Sequence, residues 1–416
     1  MITRRLFLKS SGLAFVSFGV APKALLRAAW AAESGPRGKA LVVVFQRGAC
    51  DGLNTVIPYA ESAYRGLRPT IAIPAPHGGK GAALDLDGFF GLHPALEPLV
   101  PLWKEGSLAA VHAIGSPDAT RSHFDAQDFM ESGTPGRKST EDGWMNRVLQ
   151  ARSDPGATPF RAVSMTPTLP RSLAGRAPAV ALANVRSFGI EPSAGEAVSR
   201  GFEEMYDGAV HDVLHGAGKE AFEAIDYPRK ARPSGYAPAP GASYPRGKFG
   251  ESLKQVAQLL KAGLGVEVAF VEVGGWDHHA GEGGVQGQLA TRLRELGQGL
   301  AAFRKDLGPL LQDVALVTLT EFGRTVRENG NRGTDHGHAS VALVMGGAAL
   351  RGGKVHGRWP GLSSDKLYEG RDLALTTDFR DLLGELLTRH LGVKDLRRVF
   401  PGYEVPESRF PGVMRA

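Results

Sequence analysis

Several short polar stretches of this chain are rich in residues that ligate metals or activate oxygen, and each follows an apolar run. Asp51 comes after Leu41 to Phe45, and Arg121, Ser122, His123 and Asp125 come after Leu108 to Ile114. Asp277, His278 and His279 come after Val266 to Val273, and Glu321 and Arg324 after Val314 to Leu319. Asp335, His336 and His338 follow in Gly333-Thr334-Asp335-His336-Gly337-His338. Imidazole and carboxylate together suit zinc, manganese or iron, and the spacing alone does not choose the number of ions. Each stretch also has a simpler reading. Asp51-Gly52 reads equally as a turn, Ser122 as a helix N-cap, and each arginine as a surface or salt-bridge residue. It is their convergence at one sheet edge that would make a site.

The elements needed for that convergence are legible. Leu41 to Phe45 (LVVVF) is a continuous, mostly β-branched run, the pattern of a strand buried on both faces of a parallel sheet. Arg161 to Met165 and Val341 to Met345 add two further strands to those above. Helices are predicted at Pro94 to Lys104, Phe124 to Glu131, Ala197 to Glu223, Gly250 to Ala262, Val285 to Asp306 and Asp378 to His390. Strands alternating with helices give an α/β fold with a doubly wound, mostly parallel central sheet and helices on both faces. In such a sheet ligands bind beyond the carboxyl ends of the strands, where these polar residues fall. Tyr227 to Arg246 carries five prolines and reads as an extended connector.

The chain has 416 residues and a formal charge of +6, with 42% hydrophobic and 22% charged residues, globular proportions. Residues 1–31 hold Arg4, Arg5, Lys9, Lys23 and Arg27 and no acid, so removing them takes the charge from +6 down by 5 to about +1. That leaves no electrostatic case for a nucleic-acid partner. The same segment has a basic start, an apolar stretch from Leu13 to Val20 and Ala29-Trp30-Ala31, which is signal-peptide anatomy. Thr3-Arg4-Arg5-Leu6-Phe7-Leu8-Lys9 matches a twin-arginine export signal. Export through the twin-arginine translocase to the periplasm or medium is therefore expected, with no membrane span in the mature protein, which would be a single domain over 32–416. Cys50 is the sole cysteine, so there is no internal disulfide.

The succession Arg47-Gly48-Ala49-Cys50-Asp51-Gly52-Leu53-Asn54, Leu92-His93-Pro94, Arg121-Ser122-His123-Phe124-Asp125-Ala126-Gln127, Gly274-Gly275-Trp276-Asp277-His278-His279, Thr320-Glu321-Phe322-Gly323-Arg324-Thr325 and Gly333 to His338 resembles the DUF1501 family of exported bacterial proteins. Gly357-Arg358-Trp359-Pro360-Gly361 and Thr377-Asp378-Phe379-Arg380 continue the resemblance over nearly all of the mature chain. That family in turn resembles the alkaline phosphatase and sulfatase superfamily. The resemblance implies an alkaline-phosphatase-like α/β fold and one or two divalent ions, zinc first, with manganese, iron or calcium as alternatives. One ion would be held by Asp51, Ser122, Asp335 and His336. A second would be held by Asp277, His279 and either His338 or His356. The superfamily's Asp-x-x-x-His is here Asp277-His278-His279, which leaves His278 as an alternative ligand, and His123 is another. The sulfatase Cys-x-Pro-x-Arg signature is absent, because Cys50 is followed by Asp51-Gly52-Leu53.

Taken together, these residues describe a metal-dependent hydrolase of phosphate or sulfate esters acting on a small-molecule or polysaccharide ester. Ser122 or a water would be the nucleophile, Arg121 and Arg324 would bind oxyanions, and Glu321 would orient a ligand histidine. Two alternatives stand beside it. One is a non-catalytic periplasmic binding or assembly protein on the same fold. The other is a carbohydrate-active enzyme in which Trp144, Trp276 and Trp359 stack sugars.

Overall fold

The computed structural model describes residues 38–152, 159–182 and 236–415. The expected leader (1–31), the expected helix Ala197 to Glu223 and residues 227–235 of the connector lie outside the described residues. The described residues from Lys39 onward fall in one compact unit.

At the centre lies β1 (Ala40–Arg47), parallel to β8 (Val268–Gly274) on one side and to β9 (Val314–Thr320) on the other. Its alternation divides the interior. Ala40, Val42 and Val44 join the core containing helices α3 (Lys248–Lys261) and α4 (Gln288–Leu307). Leu41, Val43 and Phe45 join the opposite core with α2 (Trp144–Ala151) and α5 (Phe379–Glu385). All six are at most 2% exposed. Because successive side chains point to opposite faces, a continuous apolar run requires helices on both, and each large apolar side chain fully buried contributes roughly 1.5–3 kcal/mol.

The sheet runs outward from β8 through β6 (Ala162–Ser164) to β7 (Val180–Ala181). From β9 it runs through β10 (Ser340–Met345) to β5 (Leu108–Gly115), and then to β11 (Val355–His356). The short β12 (Thr377–Asp378) also pairs with β5. Only β10 opposes its neighbours, being antiparallel to both β9 and β5, so the sheet is mostly parallel as expected. Two antiparallel steps restore direction, and β5 therefore points the same way as β1, β8 and β9. Their carboxyl ends share one edge. A separate small sheet joins β2 (Val56–Ile57), β4 (Gly91–Leu92) and β3 (Leu84–Asp85).

The helix expected at Pro94 to Lys104 is a 3₁₀ segment, Pro94–Leu99, followed by one α-turn, Val100–Lys104. Pro98 and Pro101 lack the N–H groups a continuous α-helix would use there. Helix α2 lacks a proline or side-chain cap at its start and was not anticipated. The described part of the proline-rich connector is packed onto α4: Tyr236 and Tyr244 donate to Asp306 Oδ2 at 2.7 and 2.8 Å. Among the described residues no helix is long and apolar enough to cross a membrane. Cys50 is buried, and desolvation pushes its thiol up to about 12, so it is inert.

Sugar stacking by Trp144 and Trp276 is corrected by their burial. Both are at most 2% exposed, and the Trp276 indole donates to Val273 O at 2.9 Å. Trp359 packs edge-on against Phe89 and Phe90.

Candidate metal centre

Three loops at the carboxyl edge meet over β1. The connection after β5 leads into α1 (His123–Ser132), the loop after β8 carries Asp277 and His279, and the β9–β10 connection carries Asp335 and His336. His123, Asp277 and His336 each bring a ligand atom within 4.8 Å of the other two. Asp277 Oδ1 lies 3.3 Å from His336 Nε2, and Asp277 Oδ2 lies 3.5 Å from His123 Nε2. Tetrahedral zinc with bonds near 2.1 Å would space its donors roughly 3.4 Å apart.

Hydrogen bonds fix which nitrogens face inward. His123 Nδ1 lies 2.8 Å from the buried Glu321 Oε1, and His336 Nδ1 lies 2.8 Å from Arg121 O. Each partner only accepts, so each Nδ1 carries the proton and, in the neutral rings, both Nε2 lone pairs point at Asp277. His279 behaves similarly. Its Nδ1 is 3.1 Å from Asp335 Oδ1, which turns its Nε2 to within 2.9 Å of both Asp277 Oδ1 and His336 Nε2. Lone pairs crowding one point repel unless a cation or proton lies among them. His123 Nε2 is buried and without a hydrogen-bond partner, an orphan that a metal would satisfy. The donor set of imidazole and carboxylate fits zinc, manganese or iron.

The surroundings hold these ligands in place. Glu321 is fully buried, which alone would raise its carboxyl, but hydrogen bonds from His123 and Gln127 hold it below the usual range. In return it holds His123 above the ordinary imidazole range. It also accepts from Gly48 N at 2.8 Å. Gly48 is needed there because, at φ +116°, a Cβ would come 2.8 Å from the Asp277 nitrogen. Burial, ahead of the neighbouring charges, lowers His336, which favours the neutral ligand form. Partial desolvation would raise the exposed Asp277 carboxyl, but Arg324, whose Nη2 donates to Oδ1 at 2.5 Å, holds it low. Removing the carboxylate behind His123 in Glu321→Gln should weaken metal affinity roughly 10- to 100-fold, measured by competition with a chromophoric chelator.

The structure places other expected residues differently. Asp51, expected as a ligand, is buried in a bidentate ion pair with Arg68, with Nη1 on Oδ2 and Nη2 on Oδ1 at 3.0 Å. Arg324, expected on an oxyanion, is buried with its donors taken by Asp277 and by Gly48, Ala49, Trp276 and Thr334 carbonyls. Arg121 is ion-paired with Glu369 and Asp372. His338 is stacked on Tyr368 with centroids 4.3 Å apart, and His278 is buried, which pushes it down to about 4. His356 lies on β11, its two nitrogens facing Arg351 O and Pro411 O. Ser122 caps α1, its Oγ accepting from Asp125 N at 3.5 Å. His123, read from sequence only as an alternative, is central. Gln127 was overlooked, though its place four residues beyond His123 puts both on one helix face. Phe124, next to His123 in the chain, is 91% exposed.

The molecule is thus a mostly parallel α/β protein with a His–Asp–His cluster at the carboxyl edge of its sheet. The chain belongs to the DUF1501 family, described as proteins of unknown function, whose model matches residues 97–401. No curated protein matches it. Among solved structures it is similar to the C-terminal periplasmic domain of EcEptC from Escherichia coli. The zinc complex of that domain has 11% identity and a TM-score of 0.35, covering 76% of this chain and 74% of that one. Another structure of the domain has 11% identity and a TM-score of 0.39, with 89% of both chains covered. PsFucS1 sulfatase from Pseudoalteromonas sp. is similar at 12% identity and a TM-score of 0.36, over 91% of this chain and 71% of that one.

Proposed function

We propose that this protein is an exported, metal-dependent hydrolase of phosphate or sulfate esters, with His123, Asp277 and His336 as metal ligands and His279 and Asp335 beside them. The observation that carries the proposal is the inward convergence of His123 Nε2, Asp277 and His336 Nε2, with both Nδ1 atoms pinned from behind. A bound divalent ion would supply Lewis-acid polarisation of an ester oxygen and neutralise charge there. Glu321 and the Arg121 carbonyl orient the rings, and Arg324 aims Asp277. Ser122 at the start of α1 is the proposed nucleophile, where the helix end favours the oxyanion form of its hydroxyl. Asp277, His279 and Asp335 are exposed, so a substrate reaches them from solvent.

The test is hydrolysis of p-nitrophenyl phosphate, its bis ester and p-nitrophenyl sulfate, before and after chelation and zinc restoration. Chelator-sensitive turnover of at least one is expected. Ser122→Ala should keep fold and metal but lose turnover by several orders of magnitude. A residue that only caps the helix would instead cost about 1 kcal/mol of stability and leave the rate near normal.

A second reading, a binding or assembly protein without turnover, is favoured by the occupation of Asp51 by Arg68 and of Arg121 and Arg324 by protein partners. Metal-loaded protein inactive on all three esters would favour it. Export is tested separately: replacing Arg4 and Arg5 with lysine should retain the precursor in the cytoplasm.

A further inference from the structure

A cleft of about 670 Å³ opens beside β11 and β12, and its lining includes none of the residues of the His–Asp–His cluster. Its charge is unbalanced. Lys354, Arg358 and Arg409 are exposed and have no ion-pair partner within 4.0 Å among the described residues; Arg409 donates to the Tyr403 hydroxyl at 3.4 Å and feels the charge of Asp381 at longer range. The two carboxylates in the wall are engaged. Asp378 is held by Arg380 through contacts of 2.9 and 2.7 Å, and Asp381 accepts from the Tyr403 hydroxyl at 2.9 Å. Burial also pushes Asp381 up to about 6, which reduces its negative charge in mildly acidic conditions.

We propose that this cleft is a second binding site, separate from the candidate metal centre, for a phosphate or sulfate monoester of a sugar-sized polyol. Planar guanidinium groups match the oxygens of a tetrahedral oxyanion, and an ammonium adds a point charge. The volume lies within the 300–1,000 Å³ range typical of small-molecule pockets and leaves room for more than a bare oxyanion. The wall also carries the hydroxyls of Thr377 and Ser408, suited to polyol oxygens.

Isothermal titration of the purified full chain at low ionic strength with glucose 6-phosphate tests this, because exposed charges act most strongly there. Binding is expected, weakened about tenfold or more in the Lys354→Ala, Arg358→Ala double variant, a loss of about 1.4 kcal/mol. Both side chains are exposed, and an unchanged melting temperature confirms that the variant is folded. Inorganic phosphate should bind about tenfold more weakly than the sugar ester. His336→Ala should keep the glucose 6-phosphate binding that the Lys354→Ala, Arg358→Ala double variant loses, which separates this cleft from the metal centre. Absence of binding, equal affinity in the double variant, equal affinity for inorganic phosphate, or loss of binding in His336→Ala would each overturn the proposal.

Discussion

Arg68→Met should destabilise the fold by about 3–5 kcal/mol, because it leaves a buried carboxylate without its cation. Arg68 is fully buried, donating to Asp51 and to the carbonyls of Thr325 and Val326, so one side chain ties the end of β1 to the loop after β9. Burial alone would raise the Asp51 carboxyl, but Arg68 holds it below its usual range. Glu282 nearby is held well above its own range by burial and by the charge of Asp51. The stability contributed by the depressed Asp51 is present above its unfolded value of about 3.9 and is lost as pH falls through the folded value. In the variant Asp51 protonates more readily, so the deficit should be full at neutral pH and shrink on acidification. Denaturant unfolding at pH 7 and pH 5 measures both quantities. Adding Asp51→Leu to Arg68→Met should recover part of the loss, since removing both charges avoids the uncompensated one.

The second large effect is expected at the cluster itself. Asp277→Ala with His336→Ala removes two of the three converging ligands, and metal affinity should fall below what dialysis against buffer retains, since lost ligands are rarely replaced. The Asp277 change also leaves the buried Arg324 without its carboxylate partner. Asp277→Asn with His336→Ala is therefore the better-folded comparison, keeping an oxygen within reach of Arg324. Ester turnover, where the intact chain shows it, should drop to background in both.

Much of the positioning was legible because it depends on local pattern. The apolar run at Leu41 to Phe45 specifies a strand buried on both faces, and the rule that ligands gather at carboxyl ends picks out Asp277, Asp335 and His336 from residue type and place. What was hidden depends on contacts distant in sequence or on side-chain direction. Arg68 gives no local sign that it will fold back on Asp51, seventeen residues earlier. Arg324 looks like a free guanidinium until four backbone carbonyls are seen to surround it. The role of His123 depends on α1 docking so that Glu321 takes its Nδ1, a contact spanning 198 residues. His338 sits two residues from His336, a spacing that in an extended strand would put both on one face, yet in the irregular loop it turns onto Tyr368 instead.

The metal content of the chain tests the central claim most directly. Elemental analysis by plasma mass spectrometry should be run on protein purified without chelator, on protein reconstituted with zinc and desalted, and on the Asp277→Asn, His336→Ala variant treated in the same way. At least one zinc, manganese, iron or calcium ion per chain is expected in the intact protein and almost none in the variant. A reconstituted intact chain that retains no divalent ion, or a variant that retains as much as the intact chain, would contradict the assignment of His123, Asp277 and His336 as a metal centre.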